Sequence, residues 1–217
     1  SFPTRRSSDL HHLSNTKTPQ KMYNKETDKE KWNDRYQKPE FAFGTEPNVF
    51  FKEWILKFKI GKLLLPAEGE GRNAVYAAQQ GWQVTAFDLS VEGKNKAMQL
   101  ANQKGVTIEY VVSDLEDMDL TEESVDAVGL IYAHFHYSKK ATYHKKLNES
   151  LKQGGIMIFE AFSKEHLALR INNPDVGGPT DSETLYSEQE IKEYFTGFEI
   201  IYLNTETIAL SEGKYHN

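Results

Sequence analysis

The chain has 217 residues, a length that suits one α/β domain better than two large ones. Its 26 Lys and Arg against 32 Asp and Glu give a net charge of −6, so we expect no nucleic-acid partner. The absence of cysteine excludes disulfides, thiolate metal sites and a cysteine nucleophile. The longest uncharged apolar stretch, residues 127–133, is much shorter than the ~20 residues of a membrane span. We therefore expect a cytoplasmic protein with no membrane partner, and we favour a monomer.

The N-terminal stretch, residues 1–25, is polar and shows no apolar period, so we predict a disordered lead-in. Its first ten residues, SFPTRRSSDL, resemble the translation of a DNA-sequencing adapter. We interpret residues 1–10 as an artefact of gene assembly, with a natural disordered tail as the alternative. The domain itself is predicted over residues 26–217.

Two helices are predicted at the start of the domain. A capping-box pattern at Thr27 opens the first, which carries Trp32 and Tyr36. The second begins near Pro47 and runs to about Lys59, because aromatic residues recur there at every fourth position.

Strands and helices alternate through the rest of the chain, which is typical of a parallel sheet covered by helices on both faces. A long polar stretch, residues 166–185, predicts a binding loop or lid. The predicted strands are 63–65, 83–88, 106–112, 125–133, 156–162 and 198–207, and the predicted helices are 72–80, 91–104, one capped by Ser138 and one opened by a capping box at Ser187.

A glycine loop follows the first predicted strand and precedes a helix. Its pattern, Gly69-x-Gly71-x-x-Ala74, lets a ligand approach the backbone, and Asp88 ends the second strand about 20 residues on, where an acid can bind ribose hydroxyls. Asp114 ends the third strand, where a carboxylate can accept a hydrogen bond from an adenine amino group. These signals predict an adenosine-containing cofactor at the carboxyl edge of the sheet.

The charge of the loop favours one such cofactor. Glu68 and Glu70 flank the glycines, where NAD would place a doubly anionic pyrophosphate, so repulsion makes NAD a poor fit. S-adenosyl-L-methionine instead carries a positively charged ammonium and a positively charged sulfonium. Acidic side chains are compatible with these charges or attract them.

Several motifs resemble class I S-adenosylmethionine-dependent methyltransferases, in the branch near the tellurite-resistance and thiopurine methyltransferases. They are EGEGRNA at 68–74, GWQVTAFDLS at 81–90, SDL at 113–115 and LKQGG at 151–155. WNDRY at 32–36 and FGTEPN at 43–48 are similar to the cofactor-covering N-terminal segment of that branch, here helices within 26–60. The resemblance implies a Rossmann-like α/β fold, a mostly parallel sheet with helices on both faces, whose C-terminal antiparallel strand is truncated in this chain.

The resemblance also implies which residues bind S-adenosyl-L-methionine. Gly69 and Gly71 would line the methionine moiety, while an acid common at the end of the first strand is replaced by Leu65, so Glu68 is expected to hold the amino group instead. Asp88 would bind the ribose. The full predicted set is Trp32, Tyr36, Phe43, Ala67, Glu68, Gly69, Gly71, Asn73, Asp88, Leu89, Asp114, Leu115 and Ala133.

Methyl transfer is an in-line displacement that needs a base only when the acceptor starts protonated. His134, after the fourth strand, is the first candidate base and Tyr36 the second, although His134 can also be a hydrogen-bonded residue that shapes the pocket. A metal site of His134, His136 and His144 has weaker support, and we predict no metal.

The expected reaction is methylation of a small-molecule acceptor, a thiol or a tellurium or selenium oxyanion, and this expectation rests on the resemblance. Three alternatives remain open: an NAD(P)-dependent oxidoreductase, a non-catalytic protein that binds an adenosyl ligand, and a gene fragment that does not fold stably.

Overall fold

The computed structural model describes residues 22–173 and 176–215, so the interpretation of residues 1–10 lies outside the described residues. Its centre is a five-stranded parallel sheet, as the alternating pattern predicts, and the strand order is β3-β2-β1-β4-β5. The strands are β1 (Lys62–Pro66), β2 (Gln83–Asp88), β3 (Glu109–Val112), β4 (Val125–Ile131) and β5 (Leu151–Glu160).

Helices cover both faces of this sheet and form two apolar cores with it. Phe51, Ala74 and Leu100 are buried on one face, and Leu130 and Leu147 on the other. No helix among the described residues is long and apolar enough to cross a membrane. The helices are α1 (Lys25–Tyr36), α2 (Val49–Ile55), α3 (Arg72–Gln79), α4 (Val91–Lys104), α5 (Tyr137–Ser150), α6 (His166–Asn172) and α7 (Glu188–Tyr194).

The helix caps confirm three of the predicted boundaries. Ser90 caps α4 by accepting a hydrogen bond from the backbone N–H of Gly93, and Gly105 ends this helix in the left-handed region at φ 68°. Ser187 opens α7 with a complete capping box. Each cap residue contacts only the first or last turn of its helix. A short sequence pattern is therefore enough to predict it.

Three predicted helix boundaries are wrong. The first helix begins two residues before Thr27 because the side chain of Asn24 accepts from the Thr27 N–H. The helix after β4 is capped by the ring of His136 instead of Ser138. The second helix ends at Ile55, where the chain turns toward β1.

The predicted sixth strand is absent among the described residues, since 198–207 has no strand pairing. Tyr202 packs instead on the aromatic side chains of α2, with ring centroids 5.9 Å from Phe50 and 5.4 Å from Trp54. Side-chain packing therefore replaces backbone pairing beside β5. The stretch 166–185 was also predicted as a loop, but it contains α6 and a short 3₁₀ turn, Ser182–Thr184.

Gly71 packs where α4 crosses the loop after β1. Its φ is +83°, and a Cβ there would lie 2.5 Å from the Cβ of Ala97. We expect Gly71→Ala to lower the free energy of unfolding by at least about 3 kcal/mol, because backbone strain adds to a collision in the core. Chemical denaturation measures this loss.

Gly105→Ala is the matched control, because Gly105 also has a positive φ, +68°, but a Cβ there would meet nothing within 4 Å. Strain alone should cost about 1 kcal/mol. Equal losses in the two variants would show that the contact with Ala97 is not a packing constraint.

Candidate active site

A cavity lies at the carboxyl edge of the sheet, between the strand ends and α1. It brings together most of the residues predicted to bind the cofactor, together with the predicted base. These lining residues are Trp32, Tyr36, Phe43, Ala67, Glu68, Asn73, Asp88, Leu89, Asp114, Leu115, Ala133 and His134. The sequence reasoning missed other residues that line the cavity, among them Tyr23, Arg72, Tyr132 and Tyr143.

The two loop glycines are buried beneath the cavity wall instead of forming it. A Cβ on Gly69 would lie 2.6 Å from the hydroxyl of Tyr36, and Gly71 packs on α4. The Gly69 carbonyl also accepts a hydrogen bond from the Tyr110 hydroxyl. In this structure the two glycines allow close packing of the loop, and their contact with the methionine moiety stays a prediction.

Ala67 adopts a backbone conformation that usually requires glycine. Its φ is +51°, in the left-handed region, and its side chain lines the cavity. A residue other than glycine therefore carries a strained backbone at this point of the cavity wall.

Glu68 caps α3 from the cavity wall. Its Oε1 accepts hydrogen bonds from the backbone N–H groups of Asn73, at 2.8 Å, and Ala74, at 2.7 Å. Burial raises the pKa of this carboxyl to about 7. Glu68 is thus a half-buried acid whose carboxylate lies at the N-terminus of α3, where negative charge is favoured.

Glu70 does not face the cavity, which corrects the prediction that both loop acids would repel the pyrophosphate of NAD. Its Oε1 lies 2.8 Å from Nζ of Lys96, and its Oε2 accepts from the backbone N–H of Ala42 at 2.7 Å. Its charge is therefore neutralised within the protein. Only Glu68 of the two predicted loop acids contributes negative charge to the cavity.

Asp88 ends β2 and connects it to two backbone segments. Its Oδ2 accepts from the N–H of Gly69 at 3.0 Å, and its Oδ1 accepts from the N–H of Ser90 at 2.9 Å. Burial raises the pKa of Asp88 to about 6. Each carboxylate oxygen has two acceptor positions, so further hydrogen bonds from a ligand in the cavity can be accommodated.

Asp114 is held between two tyrosines. Tyr143 donates to its Oδ1, and Tyr23 donates to its Oδ2 at 2.6 Å. Burial alone would raise the pKa of Asp114, but these hydroxyls hold it below its usual value. Tyr23 belongs to the stretch predicted to be a disordered lead-in, and no local sequence signal marks its contact with β3.

The hydrogen bonds of His134 do not suit a general base. Its Nε2 accepts from the backbone N–H of Phe162 at 3.1 Å, so Nδ1 carries the proton and donates to the carbonyl of Thr184 at 3.0 Å. These contacts favour the alternative, a neutral histidine that shapes the cavity. A role of His134 as a base stays a prediction that they do not support.

Tyr36 is also unsuited to act as a base. It is buried, stacks on Trp32 with ring centroids 5.5 Å apart, and burial raises its pKa well above the usual value. It therefore remains a protonated hydroxyl at neutral pH and is not available as a base.

The weaker metal hypothesis gains no support, because no cluster of three or more His, Cys, Asp or Glu among the described residues could hold a metal ion. His144 lies apart from the cavity lining and is fully buried against Tyr194 and Tyr186. Its position reflects packing between α5 and α7.

The raised pKa of Glu68 predicts a pH-dependent stability. In the unfolded chain this carboxyl titrates near 4.5 and in the folded protein near 7, so the cost of burying its charge is absent below pH 4.5 and complete above pH 7. We expect Glu68→Gln to raise the free energy of unfolding by about 3 kcal/mol at pH 8 relative to its effect at pH 4.5. Denaturant titrations at both pH values measure this difference.

Glu70→Gln is the control, because it removes a carboxylate that is paired with Lys96. It should destabilise the protein at pH 8. A Glu68→Gln variant without extra stability at pH 8 would contradict a buried, costly charge at this position.

Comparisons with known proteins agree with this geometry. Residues 64–159 match the family described as a methyltransferase domain. The uncharacterised methyltransferase YbaJ of Bacillus subtilis strain 168 is 29% identical over 108 residues, which cover 49% of this chain and 42% of YbaJ. The matched part thus spans less than half the length of that relative.

Solved structures share the fold at low sequence identity. A protein studied for the conversion of a disulfide bond into a thioacetal group during echinomycin biosynthesis has a TM-score of 0.64 and 18% identity, covering 79% of this chain and 77% of that one. A methyltransferase of Geobacter sulfurreducens, in complex with S-adenosyl-L-homocysteine, has a TM-score of 0.56 and 15% identity, covering 76% and 68%. The chain therefore has the fold of class I S-adenosylmethionine-dependent methyltransferases and matches the methyltransferase domain family over residues 64–159.

Proposed function

We propose that this protein is an S-adenosylmethionine-dependent methyltransferase that acts on a small, soft nucleophile such as a thiol or a tellurium or selenium oxyanion. The observation that carries the proposal is the order of acids along the cavity. Glu68 follows β1, Asp88 ends β2 and Asp114 follows β3, and all three line the same wall. Ligands of open α/β sheets bind at this edge.

These acids match the polar groups of S-adenosyl-L-methionine in order. Asp114 and the buried Leu115 suit an adenine amino group and ring, Asp88 suits the ribose diol, and Glu68 suits the ammonium of the methionine part. The match supports this cofactor over NAD, whose pyrophosphate would lie beside Glu68.

The bound cofactor supplies an activated methyl group on a sulfonium. The chain contributes shielding and alignment, because the aromatic rings of Trp32, Tyr36 and Phe43 line the cavity on the side of α1. A ring facing a sulfonium gains about 0.5–2 kcal/mol by cation–π attraction. Excluding water from this side also strengthens the electrostatic contacts of the buried acids.

The hydrogen bonds and protonation of His134 and of the cavity tyrosines bear on the acceptor class. His134 uses both ring nitrogens in hydrogen bonds, and burial raises the pKa of Tyr36 and of Tyr132. These side chains offer no ready base at neutral pH. An acceptor that ionises in solution, such as a thiol or an oxyanion, needs none. This reasoning, together with the resemblance to the tellurite-resistance and thiopurine branch, supports a soft nucleophile.

The first test is calorimetric titration with S-adenosyl-L-homocysteine and, separately, with NAD. We expect micromolar binding of S-adenosyl-L-homocysteine and none of NAD. Asp88→Asn should weaken binding by about 10- to 150-fold, because hydrogen bonds to a charged group contribute about 1.5–3 kcal/mol.

The control for this variant is Asp119→Asn, since Asp119 is exposed and does not line the cavity. It should bind like the wild type. Binding of NAD alone would favour the oxidoreductase alternative, and unchanged affinity of Asp88→Asn would exclude the ribose assignment. Binding of S-adenosyl-L-homocysteine without turnover of any thiol or oxyanion would favour the non-catalytic alternative.

A further inference from the structure

A carboxylate from the C-terminal segment is held by two donors beside the cavity. Nη2 of Arg72 lies 2.9 Å from Oε2 of Glu212, and Nδ2 of Asn48 donates to Oε1 of Glu212 at 3.2 Å. The side chains of Arg72 and Glu212 are each only 9% exposed. One donor per oxygen is the arrangement that recognises a planar carboxylate.

Both donors are fixed by contacts that do not involve Glu212. Oδ1 of Asn48 caps α2 by accepting from the N–H of Phe51 at 2.8 Å, which turns the amide nitrogen toward the carboxylate. Nη1 of Arg72 donates to the carbonyl of Phe43 at 3.2 Å. The pair of donors would therefore keep its geometry if the carboxylate were replaced by another.

Arg72 connects this site to the cavity, at the end away from Asp114. Arg72 begins α3 after β1 and lines the cavity, as do Phe43 and Tyr132, which follows β4. In the sheet order, β2 lies between β3 and β1, and β4 lies beyond β1. With adenine at Asp114, next to β3, the end of the cavity near β1 and β4 is left for the acceptor.

The segment that carries Glu212 is closely fitted to the cavity mouth. The backbone N–H of Lys214 donates to the carbonyl of Ala42 at 3.0 Å. Gly213 has a φ of +71°, and a Cβ there would lie 2.5 Å from the backbone nitrogen of Gly44. The guanidinium of Arg35 lies 4.3 Å from the ring of Tyr215. These contacts hold the segment in place, so that Glu212 lies against Arg72 as an internal ligand.

A second carboxyl group, that of Glu160, lies near the same donors. Glu160 accepts from the hydroxyl of Tyr132 at 3.0 Å and also from the side chain of Asn48. Burial, and to a smaller degree the charge of Glu212, raise the pKa of Glu160. Of these two acids, Glu212 is the one that is paired with Arg72.

We propose that Arg72 and Asn48 form a carboxylate-binding subsite for the methyl acceptor, which Glu212 occupies as an internal competitor. The assignment to the acceptor rests on the proposed function, whereas carboxylate binding itself does not. The acceptor is then a small soft nucleophile that carries a carboxylate.

Acetate is the probe, titrated calorimetrically at constant ionic strength into the full chain and its variants. An internal ligand competes at a high effective concentration, so Glu212→Ala should bind acetate at least about tenfold more tightly than the wild type. Adding Arg72→Met to this variant should abolish the gain. Glu206→Ala removes an exposed acid from the same segment and should behave like the wild type.

Glu212→Gln is the second variant, since it keeps the shape of the side chain and loses the charge that binds Arg72. It provides the same comparison if Glu212→Ala does not unfold cooperatively. Unchanged acetate affinity in a folded Glu212 variant would overturn the proposal, as would equal binding of sulfate. The binding of S-adenosyl-L-homocysteine is measured in parallel, so its loss with acetate binding retained would refute the proposed function and leave the subsite standing.

Discussion

The crossing of α4 over the loop after β1 positions the polar groups of the site. This approach is possible because no side chain stands at Gly71 or Gly93, where a Cβ would meet Ala97 or the carbonyl oxygen of Gly69. Asp88 fixes the same loop from β2 through the N–H of Gly69. Because the loop is held from two sides, Glu68 faces the N-terminus of α3. The packing of α4 on the loop therefore determines where the acids lie.

The site keeps buried carboxylates that the protein alone does not neutralise. Burial raises the pKa of Glu68 and of Asp88, so each negative charge is costly in the folded protein. A ligand that supplies an ammonium and a diol would relieve this cost on binding. Glu70 shows the contrast, because Lys96 already neutralises it and it takes no part in the cavity.

Local signals made much of the fold and site predictable. The Ser90 and Gly105 caps and the acids that follow the strands depend on neighbours within a few residues or on the direction of the sheet. The predictions failed where contacts between residues far apart in the sequence determine the structure. The tautomer of His134 depends on the backbone of Phe162, the side chain of Glu70 turns toward Lys96, and residues 198–207 pack on α2 instead of pairing with β5.

The first helix is attached to the domain mainly by polar contacts, and of its residues only Tyr36 is buried. Asn33 accepts from the hydroxyl of Ser90 at 2.6 Å, and Lys25 pairs with Asp117 at its other end. Neither apolar core is built from the rest of this helix. We therefore expect release of α1 to need less free energy than global unfolding, which would give a ligand an entry route while the sheet stays folded.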